Sequence, residues 1–237
     1  MSLPVAILAG GRATRLRSTT ERIPKSLLDV AGRPFAVRQI QLLRDHGLAD
    51  IVFLVGHLGR TICDTLGDGV RWGVHLRYVF DGQHALGTGG AVGAALPLLG
   101  DSFFVLYGDA YLECDYAAIE RAFVGSGKNG LMTVYKNDGR WDSSNVLFAD
   151  GRIARYDKQD RTPDMRHIDY GLGVFRKAAF VDWSDGERFD LAAVYSRLLE
   201  RDDLAGYEVA TRFYEIGSPA GLEETRHYLA DEDASVR

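Results

Sequence analysis

The chain has 237 residues, of which 46% are hydrophobic, 11% aromatic and 26% charged, with 27 Gly, 6 Pro and 2 Cys; these proportions exclude a disordered, collagenous or coiled-coil chain. The formal charge of −5, from 28 Lys+Arg against 33 Asp+Glu, shows none of the basic excess that nucleic-acid binders carry. The length fits one large α/β domain or two small ones with a real core.

The first apolar run, 5–9, has no basic flank and is too short for a signal peptide or a membrane span. It reads as a buried first strand, and the expected location is the cytoplasm. Further apolar β-type runs follow at 51–55, 76–80 and 103–107. Between them lie helical patterns. At 35–46, Val37, Ile40, Leu42 and Leu43 share one side and Gly47 is placed to stop the helix. Others fall at 61–66 and 89–99, the latter interrupted by Pro97. Strand–helix–strand alternation with near-continuous apolar strands predicts an α/β fold built on a doubly wound, mostly parallel, Rossmann-like sheet.

After about residue 130 the texture changes. Short strands are expected at 131–135, 145–148, 153–156 and 171–175, separated by turns such as Asn137-Asp138-Gly139. Residues 146–149 and 152–156 around Asp150-Gly151 form the clearest hairpin. Helices return at 191–200 and 220–230. No linker, low-complexity tract or repeat interrupts the chain. The expectation is one domain over 1–237, with a nucleotide-type α/β half (about 1–130) and a more antiparallel half (about 131–237). Ligands of open α/β sheets bind at the carboxyl ends of the strands, so the loops after Ala9, Phe80 and Tyr107 are the candidates. Cys63 and Cys114 have neither metal spacing nor redox pairing and read as reduced thiols in or near the core.

The loop after the first strand reads Gly10-Gly11-Arg12-Ala13-Thr14-Arg15-Leu16, with Pro24-Lys25 ten residues beyond Arg15. From Arg12 to Lys25 there are five basic residues and one acid, Glu21, so a small anionic ligand is expected at a defined place. Adjacent glycines let the backbone approach phosphate oxygens, Arg15 offers a two-pronged fork and Lys25 a movable point charge. Neither G-x-G-x-x-G nor G-x-x-x-x-G-K-[ST] fits the spacing. On the glycines alone, a turn followed by a solvated basic helix is an equal reading.

The whole pattern, Leu8-Ala9-Gly10-Gly11-x-x-Thr14-Arg15-Leu16, then Pro24-Lys25-x-Leu27 and Gly32-x-Pro34, resembles the signature of sugar-1-phosphate nucleotidyltransferases. The likeness continues through Leu86-Gly87-Thr88-Gly89-Gly90-Ala91, Gly108-Asp109 and Glu215-Ile216-Gly217-Ser218-Pro219. Length and the glycine run at 87–90 look most like the single-domain heptose-1-phosphate guanylyltransferase group. The resemblance implies a glycosyltransferase-A-like fold with an antiparallel C-terminal extension. It implies transfer of a nucleotidyl group from an NTP (GTP, UTP, CTP, ATP or dTTP) to a sugar 1-phosphate, with Mg²⁺ as cofactor, no nucleic-acid or membrane partner, and a homodimer as an option.

By the same resemblance, Arg15, Lys25 and Asp109 are the catalytic residues. Leu8, Ala9, Gly10, Gly11, Thr14, Gln83, Gly87, Thr88 and Gly108 would bind the nucleotide, with Asp81 a second candidate for reading the base. Lys158, Tyr170 and Gly171 would bind the sugar phosphate. Asp109 and Glu215 would hold the metal, Glu215 standing where relatives carry Asp. His84 is assigned a polar loop role, because a phosphate oxygen is already anionic and needs no general base. Ala13 replaces a common family glycine, a change costing about 1 kcal/mol if that position needs positive φ. Tyr170 and Asp169 also depart from the family pattern and suggest an unusual sugar or sugar-like alcohol. Two alternatives remain at this stage: transfer to phosphocholine or another phospho-alcohol, marked by an aromatic cage to which Tyr170 and Trp141 could contribute, and a catalytically inactive nucleotide- or sugar-nucleotide-sensing subunit.

Overall fold

A computed structural model describes residues 2–11, 23–82 and 84–235. Strand β1 (Val5–Leu8) lies between two parallel neighbours, β4 (Asp50–Val55) and β6 (Ser102–Tyr107), with Ile7 opposite both Phe53 and Leu106. Strand β5 (His75–Phe80) continues the parallel sheet beyond β4. These strands are apolar almost throughout because both faces are covered, as a parallel sheet requires. Alternate residues feed opposite cores. Ile7, Phe53 and Phe104 pack on one face under helices α1 (Phe35–Asp45), α2 (Gly59–Leu66) and α4 (Tyr116–Ser126). Ala6, Val52 and Val105 pack on the other under α3 (Gly87–Ala95) and α5 (Leu191–Glu200).

The predicted doubly wound sheet is therefore present, and its antiparallel extension enters at β11 (His167–Arg176). This strand pairs antiparallel with β6, with β8 (Gly130–Lys136) and, at His167, with β9 (Val146–Ala149). The expected hairpin forms between β9 and β10 (Arg152–Tyr156), around Asp150 in a left-handed conformation (φ 51°). Nine strands share this sheet.

Three elements differ from the sequence reading. Helix α4 was not expected. Asp115 Oδ1 accepts the Ala118 N–H at its start (2.8 Å), and Gly127 closes it at φ 66°. Strand β12 (Leu204–Val209) pairs parallel with β8 yet has no two-residue alternation, and its Gly206 sits under the Phe148 ring where a side chain would collide. Strand β11 begins four residues earlier than expected. Four two-residue strands also escape any periodicity argument. Of these, β2 (Asp29–Val30) pairs with β3 (Arg33–Pro34), and β7 (Ala110–Tyr111) pairs with β13 (Tyr214–Glu215). The last helix, α6 (Pro219–Ser235), docks there through Leu222 and Leu229 against Leu28, Val30, Phe35 and Ile216. No helix among the described residues is long and apolar enough to cross a membrane.

Gly173 in β11 lies directly over the buried Tyr195 hydroxyl, at the place a Cβ would need. Gly173→Ala should cost about 1–3 kcal/mol, the usual range for overpacking. Adding Tyr195→Phe, which removes the nearest obstructing atom and leaves Phe175 Cε2 at 2.9 Å, should restore part of it in urea titrations. If Gly173→Ala is neutral, this contact does not constrain the strand.

Candidate active site

The site forms where the carboxyl ends of β1 and β6 meet. Gly108 donates its N–H to the Leu8 carbonyl (3.0 Å), and a Cβ at Gly108 would overlap that same carbonyl. Only glycine permits this approach, which seats residue 108 against Leu8 and Ala9 and so brings Asp109 to the open end of β1. The β7–β13 bridge then sets Glu215 opposite Ala110, and Ile216 donates to the Asp109 carbonyl (2.9 Å). From a 3₁₀ turn at Lys25–Leu27, Lys25 reaches Asp109 with Nζ 2.6 Å from Oδ2. A methyl group placed on Gly217 would lie 2.6 Å from Glu215 Oε2, 3.1 Å from Lys25 Nζ and 3.3 Å from Asp109 Oδ2, so the three charges surround that glycine.

Glu215 is already engaged. Its Oε2 accepts the N–H groups of Gly217 and Ser218, and its Oε1 accepts the Ser218 hydroxyl (2.6 Å). A carboxylate here also meets the positive end of α6.

A cleft of about 750 Å³ runs from this cluster to the second half of the chain. Lys158, after β10, borders it, with its ammonium 5.7 Å from the Tyr107 ring centre and 5.9 Å from that of Tyr156. In the same loop Arg155 pairs with both Asp157 and Asp160, while Lys158 and Arg161 face the cleft without a salt bridge among the described residues. The register of β11 slips between Asp169 and Gly173, and Gly171 within the slip has φ 94°. Its backbone therefore lines the cleft, with its N–H on Asp169 Oδ1 (3.1 Å). Asp169 also receives the Tyr156 hydroxyl (3.3 Å). Burial pushes the Asp169 carboxyl above the usual carboxylate range, opposed chiefly by the charge of Lys158. Tyr170 is at the cleft wall, but its ring is 2% exposed and packs edge-on to Phe213 and beside Tyr135.

On the nucleotide side, Ala9 donates to the Leu54 carbonyl (2.8 Å), and Gly10 lies so close to Gly56 that a Cβ on it would be 3.3 Å from the Gly56 nitrogen. Asp81 Oδ2 borders both glycines, and burial raises its carboxyl's pKa. Gly11 faces open space among the described residues. Arg12, Ala13, Thr14, Arg15 and Gln83 lie outside the described residues. The glycines at 87–90 meet the chain itself. Gly89 and Gly90 donate to the Phe189 carbonyl (3.0 and 3.3 Å), and side chains on Gly87, Gly89 or Gly90 would collide with residues 187–190. The Thr88 hydroxyl accepts the Leu191 N–H (2.8 Å) at the start of α5.

A model of the nucleotidyl transferase family matches residues 5–143, more than half of the chain. The chain belongs to the nucleotidyl transferase family. It is 42% identical over 113 residues to N-acetylmuramate alpha-1-phosphate uridylyltransferase of Neisseria meningitidis, covering 47% of this chain and 49% of that one. To the low-salt glycan biosynthesis nucleotidyltransferase Agl11 of Haloferax volcanii it is 38% identical over 242 residues, 98% of this chain and 67% of the relative. It thus spans about half the length of the first relative and two thirds of the second. The crystal structure of HddC from Yersinia pseudotuberculosis complexed with GMP-PN shares the fold, with a TM-score of 0.79 at 23% identity over 96% of this chain and all of HddC.

Within this nucleotidyl transferase, the donor set suits a hard cation only in part. No cluster of three or more His, Cys, Asp or Glu residues exists among the described residues. Asp109 presents a carboxylate that is 41% exposed in the cleft, which fits an ion completing its shell with phosphate oxygens and water. Glu215, by contrast, spends most of its acceptor capacity on its own turn. Sequence reasoning overlooked Gly56, the closest neighbour of Gly10. It quoted Gly217 within a motif without giving it a role. A single glycine carries little signal, and the pairings that explain these two span 46 residues for Gly10 with Gly56 and more than 100 for Gly217 with Asp109.

If Glu215 acts chiefly on the start of α6, Glu215→Gln should lower stability by about 1 kcal/mol through loss of charge-assisted bonds. Thermal or urea unfolding checks this, and an unchanged midpoint refutes it. Asp169 yields a pH-dependent expectation. Its raised folded pKa makes the neutral acid's contribution complete below the unfolded value of about 4 and lost as the pH rises through the folded value. The stability difference, wild type minus Asp169→Asn, should therefore decline just above pH 4 and then level off. A difference that grows with pH would mean that attraction to Lys158 outweighs burial.

Proposed function

We propose that this chain is a Mg²⁺-dependent sugar-1-phosphate nucleotidyltransferase, which joins the acceptor phosphate to the α-phosphate of an NTP and releases pyrophosphate. The observation that carries the reading is the single cleft that faces Lys25 and Asp109 on one side and Lys158 on the other. Two phosphates brought together need cations on both flanks, and the site supplies them from separate halves of the chain. An acceptor phosphate oxygen is already anionic, so in-line attack needs positioning and charge neutralisation and no base. Lys158 would hold the acceptor phosphate, while Lys25 would exchange Asp109 for oxygens of the reacting phosphates. Asp109 would hold Mg²⁺, which supplies charge neutralisation at the phosphates when bound.

For the finer reading, a heptose 1-phosphate and a guanine nucleotide are proposed. The motif resemblance supports this, together with the fold shared with HddC, whose structure contains GMP-PN. The phosphocholine reading finds less support. Its aromatic cage would draw on Tyr170 and Trp141, yet Tyr170 is buried and Trp141 already carries the Arg212 guanidinium on its ring. Retention of Lys25, Asp109 and Lys158 in one cleft favours turnover over sensing, because a sensor needs no reactive phosphate grip.

Incubating the protein with each NTP, Mg²⁺ and a panel of sugar 1-phosphates should release pyrophosphate from at least one pair. Asp109→Asn should abolish that release in a folded protein, and Lys25→Ala should cost ~3 kcal/mol or more in kcat/KM, the scale of one lost transition-state donor. Silence across the panel, or full activity in Asp109→Asn, would overturn the proposal.

A further inference from the structure

The rim of the cleft carries a fixed aromatic surface that the phosphate chemistry leaves unused. Trp141 is 46% exposed and borders the cleft. Exposed indoles on loops are usually mobile, but this one is held from two sides. Its loop is pinned by Asn137, a fully buried amide whose Oδ1 accepts the Trp141 N–H (3.2 Å) and whose Nδ2 donates to the Asp142 carbonyl and to Ser144 Oγ. Its ring is backed by the Arg212 guanidinium, 3.5 Å from the ring centre. Arg212 is itself locked by a two-pronged pair with Glu224 of α6, both bonds 2.9 Å, and lies 4.4 Å from the Tyr214 ring centre. Tyr214 in turn stacks on Tyr228 of α6 at 3.9 Å and 14°. A continuous column of Trp141, Arg212, Tyr214 and Tyr228 thus runs from the rim to the helix beginning at the Glu215 turn.

A rigid indole with a cation behind it and its remaining surface toward a polar cleft favours a partner with a C–H face and hydroxyl edges. The negative ring face attracts polarised C–H groups, and prior ordering of the ring lowers the entropy cost of binding. Asn145, Ser143 and Asp142 line the cleft nearby with hydrogen-bonding groups. A second cation does not suit the position, since Arg212 already takes one ring face. We infer that Trp141 is the platform on which the acceptor's ring lies, a positioning residue that sets acceptor affinity from the rim of the cleft. This inference rests on the nucleotidyltransferase reading proposed above and adds to it the residue that seats the acceptor's ring.

The test uses the 237-residue chain labelled with 5-fluorotryptophan, which gives one ¹⁹F resonance for each of Trp72, Trp141 and Trp183; Trp141→Phe assigns the one of interest. With an acceptor that the wild type turns over, the Trp141 resonance should shift saturably, and inorganic phosphate should not reproduce the shift. Trp141→Ala should raise the acceptor KM about tenfold, equivalent to 1.4 kcal/mol, with kcat and the NTP KM within about twofold. Trp141→Phe should recover much of the loss, and Arg212→Ala should fall between. If a sugar 1-phosphate is turned over while the Trp141 resonance and the acceptor KM of Trp141→Ala are unchanged, the platform is wrong and the activity stands. If only phosphocholine or an acyclic phospho-alcohol is turned over, no ring lies on Trp141 and the platform is wrong while nucleotidyl transfer stands. If no acceptor is turned over, the nucleotidyltransferase reading falls and the inference falls with it.

Discussion

The close approach of Lys25 and Asp109, 2.6 Å apart, is the point on which the rest of the site depends. The two residues come from separately built pieces. Lys25 projects from a turn whose neighbours Leu28 and Val30 pack under α6, and Asp109 is delivered by Gly108 pressing on the end of β1. Gly217, from a third piece, leaves the space around which they meet. A half-exposed ion pair contributes little to stability, so the packing beneath it must set its position. That packing is the Gly108–Leu8 contact, which leaves no room for a side chain at 108, and the backbone pairing of the β7–β13 bridge. The same pair gives Lys25 a partner before any phosphate arrives. On the proposed reading, a triphosphate would compete with that carboxylate for the ammonium and would free Asp109 for a divalent ion.

The glycine motifs carry packing constraints of their own, beside any contact with a nucleotide. The run at 87–90 includes Gly87 and Thr88, both expected to meet the nucleotide. In the folded chain Gly89 and Gly90 bond the Phe189 carbonyl, and Thr88 accepts from Leu191 at the start of α5. The run is glycine-rich because residues 187–190 pass too close for side chains. Its consequence for the site is indirect: it fixes the segment leading to Asp190 and α5 beside the sheet. Gly10 and Gly108 combine both kinds of constraint, since each packs against backbone at the open end of the sheet.

What was legible in the sequence followed from periodicity and local chemistry. The parallel strands were visible because burial on both faces makes them apolar throughout, and the β9–β10 hairpin because Asp150-Gly151 favours positive φ. Helix α4 leaves only local signals in the sequence, its Asp115 cap and its Gly127 stop. Strand β12 was not readable. Its partner β8 lies about 70 residues away, and Gly206 interrupts its alternation to make room for Phe148. The site follows the same division. Lys25, Asp109 and Lys158 were identified from motif register and do share one cleft, whereas the engagement of Glu215 by its own turn depends on a fold of the backbone that no spacing reveals.

Charge placement links these observations. The net charge is −5, yet Lys25, Lys158 and Arg161 all border one cleft, and the last two form no salt bridge among the described residues. Arg155 achieves this by drawing Asp157 and Asp160 away behind the loop. Lys158 is in turn held over two tyrosine rings, one of which donates its hydroxyl to the buried Asp169. This network keeps a cation available without letting a surface carboxylate neutralise it, at the cost of burying an acid whose ionisation is disfavoured. A cation so prepared is of use to an anion that arrives from outside, and on the proposed reading that anion would be the acceptor phosphate, which would face Lys25 and Asp109 across the one cleft they share with Lys158.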